Sequence, residues 1–305
     1  MTRTLHYLHF DVFTDTPLEG NQLAVFPDPG DLTTARMQAI AREMAFSEST
    51  FLFPPAAGGD VHMRIFTPRE ELPMAGHPTV GSTFALVEEG RLAPGRDRCV
   101  FELKIGPTPV SLEWKGKALD FAWMTQPLPT FGARVEHRAA FAAAIGIAEG
   151  GLTADLPIQV VSCGVPFLFA PLDTRAAVDR VVVNPAALAA CLHDDGVEAH
   201  GLFVFSLDRT GAAGEAVYSR MLAPGLGIAE DPATGSASGP LGCYLVRHGC
   251  LTPEQAAGFV SLQGSAMLRP SRIHISIGQR DGRIIDVRVG GRSVLVGRGT
   301  LNVTA

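Results

Sequence analysis

A chain of 305 residues that is 46% hydrophobic and 18% charged is too long for one small core and too apolar for extended disorder, so two globular domains are expected. Its net charge of −6, without a Lys or Arg run longer than two, argues against the basic face that a nucleic-acid backbone demands. Residues 1–15 mix His, Arg and Asp among apolar positions, and the longest apolar run, Ala139 to Ala148, is far short of a bilayer span; no signal peptide and no membrane partner are expected, and the predicted location is cytoplasmic.

Leu5 to Thr14 alternates as a strand, and Gly20-Asn21-Gln22 turns it into Leu23 to Phe26 as a hairpin. Thr33 to Ala45 places Met37, Ile40, Ala41 and Met44 at helical spacing, and Phe46 to Phe53 opens the next strand. After the strand Val61 to Phe66 and the Gly76-His77-Pro78 turn, Thr79 to Val87 lacks a polar face and reads as a helix buried all round. Strands follow at Cys99 to Ile105 and Thr108 to Trp114. Leu119 to Met124 with Gln126-Pro127-Leu128-Pro129 is the expected crossing between lobes, which divides the chain into 1–118 and 119–305.

The second lobe is predicted to retrace this plan. Ile158 to Val161 and Phe167 to Ala170 are strands, Arg134 to Ile147 and Pro185 to His193 helices, and in Leu202 to Leu207 the run Phe203-Val204-Phe205 takes the place of Phe51-Leu52-Phe53. Asp231 suits an N-cap and Pro232 the first helical position, so a helix is expected from there to about His248. Short strands, Arg272 to Ile277, Arg283 to Val289 and Ser293 to Val303, complete the chain, and the last of them is free to cross back to the first lobe.

Ala75-Gly76-His77-Pro78-Thr79-Val80-Gly81-Ser82 and Glu230-Asp231-Pro232-Ala233-Thr234-Gly235-Ser236 share a grammar: a polar residue, Pro, then Gly and Ser. Each follows a run closing on proline, Arg64 to Pro68 or Arg220 to Pro224, which reads as an internal duplication of strand, loop and helix. Helix starts expose unpaired N–H groups, so two of them facing one cleft suit an anionic small molecule. Asp231 is equally readable as a simple N-cap and His77 as a satisfied turn histidine.

Glu48 admits two readings. Pressed among Phe46, Phe51 and Phe53, a carboxyl is desolvated and able both to take and to return a proton near neutral pH. With the phenylalanines turned inward, strand alternation instead leaves it on an exposed edge. The five cysteines, Cys99, Cys163, Cys191, Cys243 and Cys250, are scattered without a C-x-x-C pair and read as buried thiols; no metal site is expected.

Phe46-Ser47-Glu48-Ser49-Thr50-Phe51, Arg64 to Pro68 with Glu71-Leu72-Pro73, Ala75 to Thr79 and Glu230 to Ala237 together resemble the PhzF-type phenazine-biosynthesis isomerase family. The resemblance runs nearly end to end, with Asn21 in the first hairpin and Arg269-Pro270-Ser271 near the tail. It implies an α+β (mixed α/β) fold of the diaminopimelate epimerase-like type: two similar lobes, each a mixed β-sheet wrapped around a central helix, with the active site between them. It further implies Glu48 as general acid/base, His77 and Asp231 as the residues that hold and orient the substrate, and Ser47, Gly76, Gly235 and Ser236 as the groups that bind its carboxylate. No metal or organic cofactor is implied, and a homodimer is.

The founding activity of that family shifts a hydrogen around a conjugated cyclic amino acid. Fold relatives that epimerise amino acids use two thiols at the helix starts, and neither Ala75 to Pro78 nor Glu230 to Pro232 contains cysteine. The sequence therefore favours a cofactor-independent isomerase of a small carboxylate-bearing molecule. The alternatives are a catalytically inactive binding or interaction protein of the same fold and a cysteine-based epimerase.

Overall fold

In the computed structural model, which describes residues 2–207, 215–224 and 228–304, the phenylalanines of the early strands decide the first layer of packing. The elements β1 (Thr2–Val12), β2 (Asn21–Phe26), α1 (Thr34–Met44), β3 (Glu48–Phe53), β4 (Val61–Phe66) and β5 (Glu71–Leu72) lead to the helix α2 (Gly76–Glu88). Phe51 stacks on Phe26 with ring centroids 4.9 Å apart and meets Phe66 edge-on at 5.6 Å. Met37, Ile40 and Ala41 of α1 close over this cluster. Thr33 caps α1, its side chain accepting from the Arg36 N–H.

The hairpins β6 (Arg98–Leu103), β7 (Gly106–Lys115) and β8 (Ala118–Thr125) complete the first half, so Leu119 to Met124 is a strand paired with β7 and not a crossing. The chain then runs through β9 (Thr130–Arg134), α3 (Arg138–Ala144), β10 (Gln159–Ser162), β11 (Pro166–Pro171), α4 (Arg175–Asp179) and α5 (Pro185–Asp194). There follow β12 (Gly201–Leu207), β13 (Glu215–Ala223), β14 (Ile228–Asp231), α6 (Gly235–Arg247), α7 (Pro253–Ala256), β15 (Phe259–Gln263), β16 (Ser271–Arg280), β17 (Arg283–Gly291) and β18 (Ser293–Thr304).

Two units result, one of Met1–Thr125 with Val289–Ala305 and the other of Gln126–Arg288. β18 returns to the first unit and pairs antiparallel along β1. From there the first sheet continues through β2, then β3 in parallel, β4 antiparallel, β6 in parallel, and β7 and β8 antiparallel. These strands surround α2, whose residues from Gly76 to Thr83 are all buried, as the lack of a polar face predicts. The second sheet runs β9, β10, β11, then β12 in parallel, β13 antiparallel, β15 in parallel and β16, and α6 packs against β10, β11 and β16. The protein is thus a mixed α/β fold in which each unit holds a mixed sheet around one central helix.

The duplication is real, but its register differs from the one the sequence grammar suggests. Arg64 on β4 grips Glu71 through Nε and Nη2, both at 2.7 Å; Arg220 on β13 grips Glu230 in the same fork at 2.9 and 2.8 Å. Each glutamate stands four residues before the helix N-cap, Ala75 in one unit and Thr234 in the other. The N-cap carbonyl then accepts a hydroxyl from four residues on: Thr79 Oγ1 at 2.7 Å, Ser238 Oγ at 2.9 Å. By this measure the counterpart of His77 is Ser236, and the counterpart of Asp231 is Leu72.

Asp231 is therefore not the N-cap expected from its sequence. It ends β14, opposite Met221, and its carbonyl accepts from Gln263 Nε2 at 2.8 Å instead of taking the first intrahelical N–H. That role falls to Thr234, whose carbonyl accepts from Ala237 and Ser238. The phenylalanines shift as well. Phe51 lies opposite Arg64, whereas Val204 lies opposite Arg220, so Phe203 and Phe205 fall one place out of step with Phe51 and Phe53. A slip of one residue reverses the face. Phe205 meets Tyr244 of α6 at 5.6 Å, on the side where the first unit sets Thr50 against Ser82 of α2.

Candidate functional site

Glu48 is the first residue of β3 and pairs with Leu23 in the parallel β2–β3 ladder. Along a strand the side chains alternate, so Glu48 shares its face with Thr50 and not with Phe51 or Phe53. Thr50 Oγ1 lies 2.9 Å from Ser82 Oγ on α2. Glu48 therefore looks toward the central helix, and the phenylalanines look toward α1. The exposed-edge reading fails too, because the Glu48 side chain is only 12% exposed. What covers it is the first turn of α2, where His77 Nε2 stands 3.4 Å from Glu48 Oε2.

His77 is itself 3% exposed and is held from its other nitrogen, with Asn21 Nδ2 3.2 Å from Nδ1. Asn21 is buried at the first position of β2, opposite Val12. Burial pushes the imidazole down to about 3, and a backbone hydrogen bond with Gln22 offsets only part of that. The Glu48–His77 contact has the spacing of an ion pair, yet near pH 7 its imidazole is neutral. Gly76, buried at the helix start, and half-buried Ser47 flank the pair in sequence.

The first unit brings Glu48 of β3 and His77 of α2 together, with Ser47 and Gly76 as their chain neighbours, because β2 carries Asn21 in from the hairpin and α2 passes close over the sheet. Gly81 permits that approach: a Cβ there would lie 2.6 Å from both Leu23 Cδ2 and Val12 Cγ2.

In the second unit Asp231, Gly235 and Ser236 gather at the start of α6. Asp231 is 4% exposed and Gly235 buried, with Ser236 half-buried beside it. Thr234 Oγ1 donates to Asp231 Oδ2 at 2.5 Å. Gln126 Nε2 donates to the Gly235 carbonyl at 3.0 Å. Gln263, at the end of β15, makes three further bonds to this loop, and the sequence reading missed it. Only its strand was legible, as the short apolar run of Phe259, Val260 and Leu262 that meets a turn at Gly264.

The second unit also holds an apolar pocket of about 330 Å³ between α5 and β12–β13, walled by Leu168, Leu188, Leu202, Leu222 and Pro224. Among the described residues that line it, His200 is the titratable one.

Known proteins with the same sequence pattern or fold place this geometry in context. A family model described as phenazine biosynthesis-like protein matches residues 10–299. The chain is 37% identical to trans-2,3-dihydro-3-hydroxyanthranilate isomerase of Pseudomonas fluorescens, over 97% of this chain and 99% of that one. The crystal structure of a Bacillus anthracis phenazine biosynthesis protein of the PhzF family matches with a TM-score of 0.85 at 25% identity, over 98% and 99% of the two chains. A hydroxyproline epimerase from Agrobacterium vitis shares the fold, with a TM-score of 0.67 at 14% identity over 99% of this chain and 93% of that one.

Proposed function

The chain belongs to the phenazine biosynthesis-like family and is an isomerase, and on that footing we propose that it moves a proton between carbons of a small conjugated carboxylic acid, with Glu48 as the general acid/base. The substrate class follows the relatives: trans-2,3-dihydro-3-hydroxyanthranilate or a close analogue is the first compound to try. Conjugation acidifies a C–H bond, and the Glu48 carboxylate removes that proton. The same carboxyl, now protonated, delivers it to another carbon on the same face of the ring. Bonds and charges balance with no other reactant.

The observation that carries this reading is the Glu48–His77 contact of 3.4 Å at two side chains that water barely reaches. A neutral imidazole at that distance gives Glu48 a polar neighbour without a competing positive charge, and it orients the carboxyl in a place of low dielectric. His77 and Asp231 are assigned to hold and orient the substrate. Gly76 with Ser47, and Gly235 with Ser236, are assigned to its carboxylate, because helix starts present N–H groups and the positive end of the peptide dipoles.

The test is Glu48→Gln, assayed by solvent deuterium incorporation into trans-2,3-dihydro-3-hydroxyanthranilate. Exchange should fall by about 10²- to 10⁴-fold, the range for loss of a positioned acid/base. Exchange at the unsubstituted rate would remove Glu48 from the chemistry.

A further inference from the structure

Gln263 has a side-chain orientation that its neighbours dictate. Thr234 N–H can only donate, and it reaches Gln263 Oε1 at 3.1 Å; the Asp231 carbonyl can only accept, and it receives Gln263 Nε2 at 2.8 Å. The amide oxygen and nitrogen are therefore fixed without ambiguity. The second Nε2 hydrogen goes to Thr234 Oγ1 at 3.0 Å. With that oxygen already accepting, the single hydroxyl proton of Thr234 is directed to Asp231 Oδ2, and the bond is 2.5 Å long. Gln263 is fully buried, Thr234 is 6% exposed and Asp231 4%. Gly264 has φ +77, and a Cβ there would collide with the carbonyls of Arg269 and Pro232, so the turn after Gln263 is closed tightly onto the Asp231 loop.

We infer that Gln263 and Thr234 are positioning residues that form a one-way hydrogen-bond relay, Gln263 amide to Thr234 hydroxyl to Asp231 carboxyl, which fixes the plane of Asp231 for substrate. The inference rests on the reading that Asp231 holds the substrate. Asp231 lies at a strand end, where its backbone alone leaves the carboxyl free to rotate about χ2. Gln263 comes from β15, which pairs with β13 and β16, and so ties the carboxyl to the middle of the sheet.

The test uses Thr234→Val, Thr234→Ser and Gln263→Leu in the full chain. In the unsubstituted protein, without substrate, proton NMR should show a slowly exchanging Thr234 hydroxyl resonance with a cross-peak to the Gln263 side-chain amide. It should persist in Thr234→Ser and vanish in Thr234→Val; in Gln263→Leu the cross-peak is lost and the hydroxyl exchanges freely. With trans-2,3-dihydro-3-hydroxyanthranilate, kcat/KM should fall about 10²-fold in Thr234→Val and Gln263→Leu, as expected for a misplaced binding group. Thr234→Ser should stay near the original value. A role confined to folding would lower the melting temperature of Thr234→Val while leaving kcat and KM of the folded fraction unchanged, and that result overturns the proposal. Absence of the hydroxyl resonance overturns it as well. An unaltered exchange rate in Glu48→Gln would instead sink the proposed function and leave the hydroxyl signal in place, so the two failures are distinguishable.

Discussion

Glu48 and His77 face each other across 3.4 Å from different elements, and burial keeps the imidazole of that pair uncharged near neutral pH. The ordinary value for histidine is 6.5, and in the folded protein it falls to about 3. Between those two values the unfolded chain binds a proton that the folded chain refuses, so stability is present above pH 6.5 and is lost as pH falls toward 3. The loss from this group approaches roughly 1.4 kcal/mol per pH unit. Urea melts at pH 7, 5.5 and 4.5 should show His77→Gln losing less stability on acidification than the unsubstituted protein. Equal slopes would mean that His77 titrates normally.

Close passage of α2 over the sheet depends on Gly81. The Leu23 and Val12 side chains that a new Cβ would meet are both fully buried and have no room to yield. Gly81→Ala would gain up to about 1 kcal/mol of helix propensity. Overpacking of a filled core costs typically about 1–3 kcal/mol, which is the larger effect. The substitution should lower the urea midpoint, and Gly81→Val should lower it further. A raised midpoint for Gly81→Ala would show that α2 can retreat.

The two guanidinium forks occupy equivalent places but carry unequal loads. Arg220 also donates through Nη1 to the carbonyls of Val178, Asp179 and Val181, and its side chain is 11% exposed against 22% for Arg64. Arg220→Ala strands Glu230 and three carbonyls, and should cost about 3–5 kcal/mol. Arg64→Ala, with Glu71 nearer to water, should cost clearly less. Arg220→Lys keeps the charge without the fork and should recover less than half of the loss. Denaturant unfolding of the three variants decides the order, and equal losses at the two arginines would contradict it.

Thiol chemistry is poorly served. Cys99, Cys163, Cys191 and Cys243 are buried, burial pushes Cys99 up to about 12 and Cys191 upward, and the hydrogen bond with Cys163 raises Cys243. Iodoacetamide at pH 7.5 should modify half-buried Cys250 first and leave deuterium exchange intact. Inactivation in step with labelling of any single cysteine would favour a cysteine-based epimerase.

Much of this was readable in the residues because it depends on local pattern. The all-round apolar run after His77 specified a central helix, and Met37, Ile40 and Ala41 specified the amphipathic face of α1. The paired polar-Pro-Gly-Ser blocks disclosed the duplication. They misled in detail because Pro and Gly mark a helix start only to within a few residues, whereas the Arg64–Glu71 and Arg220–Glu230 forks fix it. Gln263 escaped notice because a lone glutamine beside a turn carries no chemistry until its three partners are known.

From its residue pattern this protein was committed to two similar lobes, to a buried helix after His77 and to a carboxyl at position 48, since side-chain periodicity and composition act over a few neighbouring residues; the sheet wrapped around each central helix was implied by the family resemblance. Only the tertiary structure decided that Glu48 turns toward His77 and away from Phe51, and that Asp231 closes a strand instead of opening a helix. Those outcomes depend on strand register and on hydrogen bonds between residues 29 to 56 positions apart, such as Asn21 with His77 and Gln263 with Thr234. A register is chosen by the partner strand, and no short stretch of sequence contains its partner.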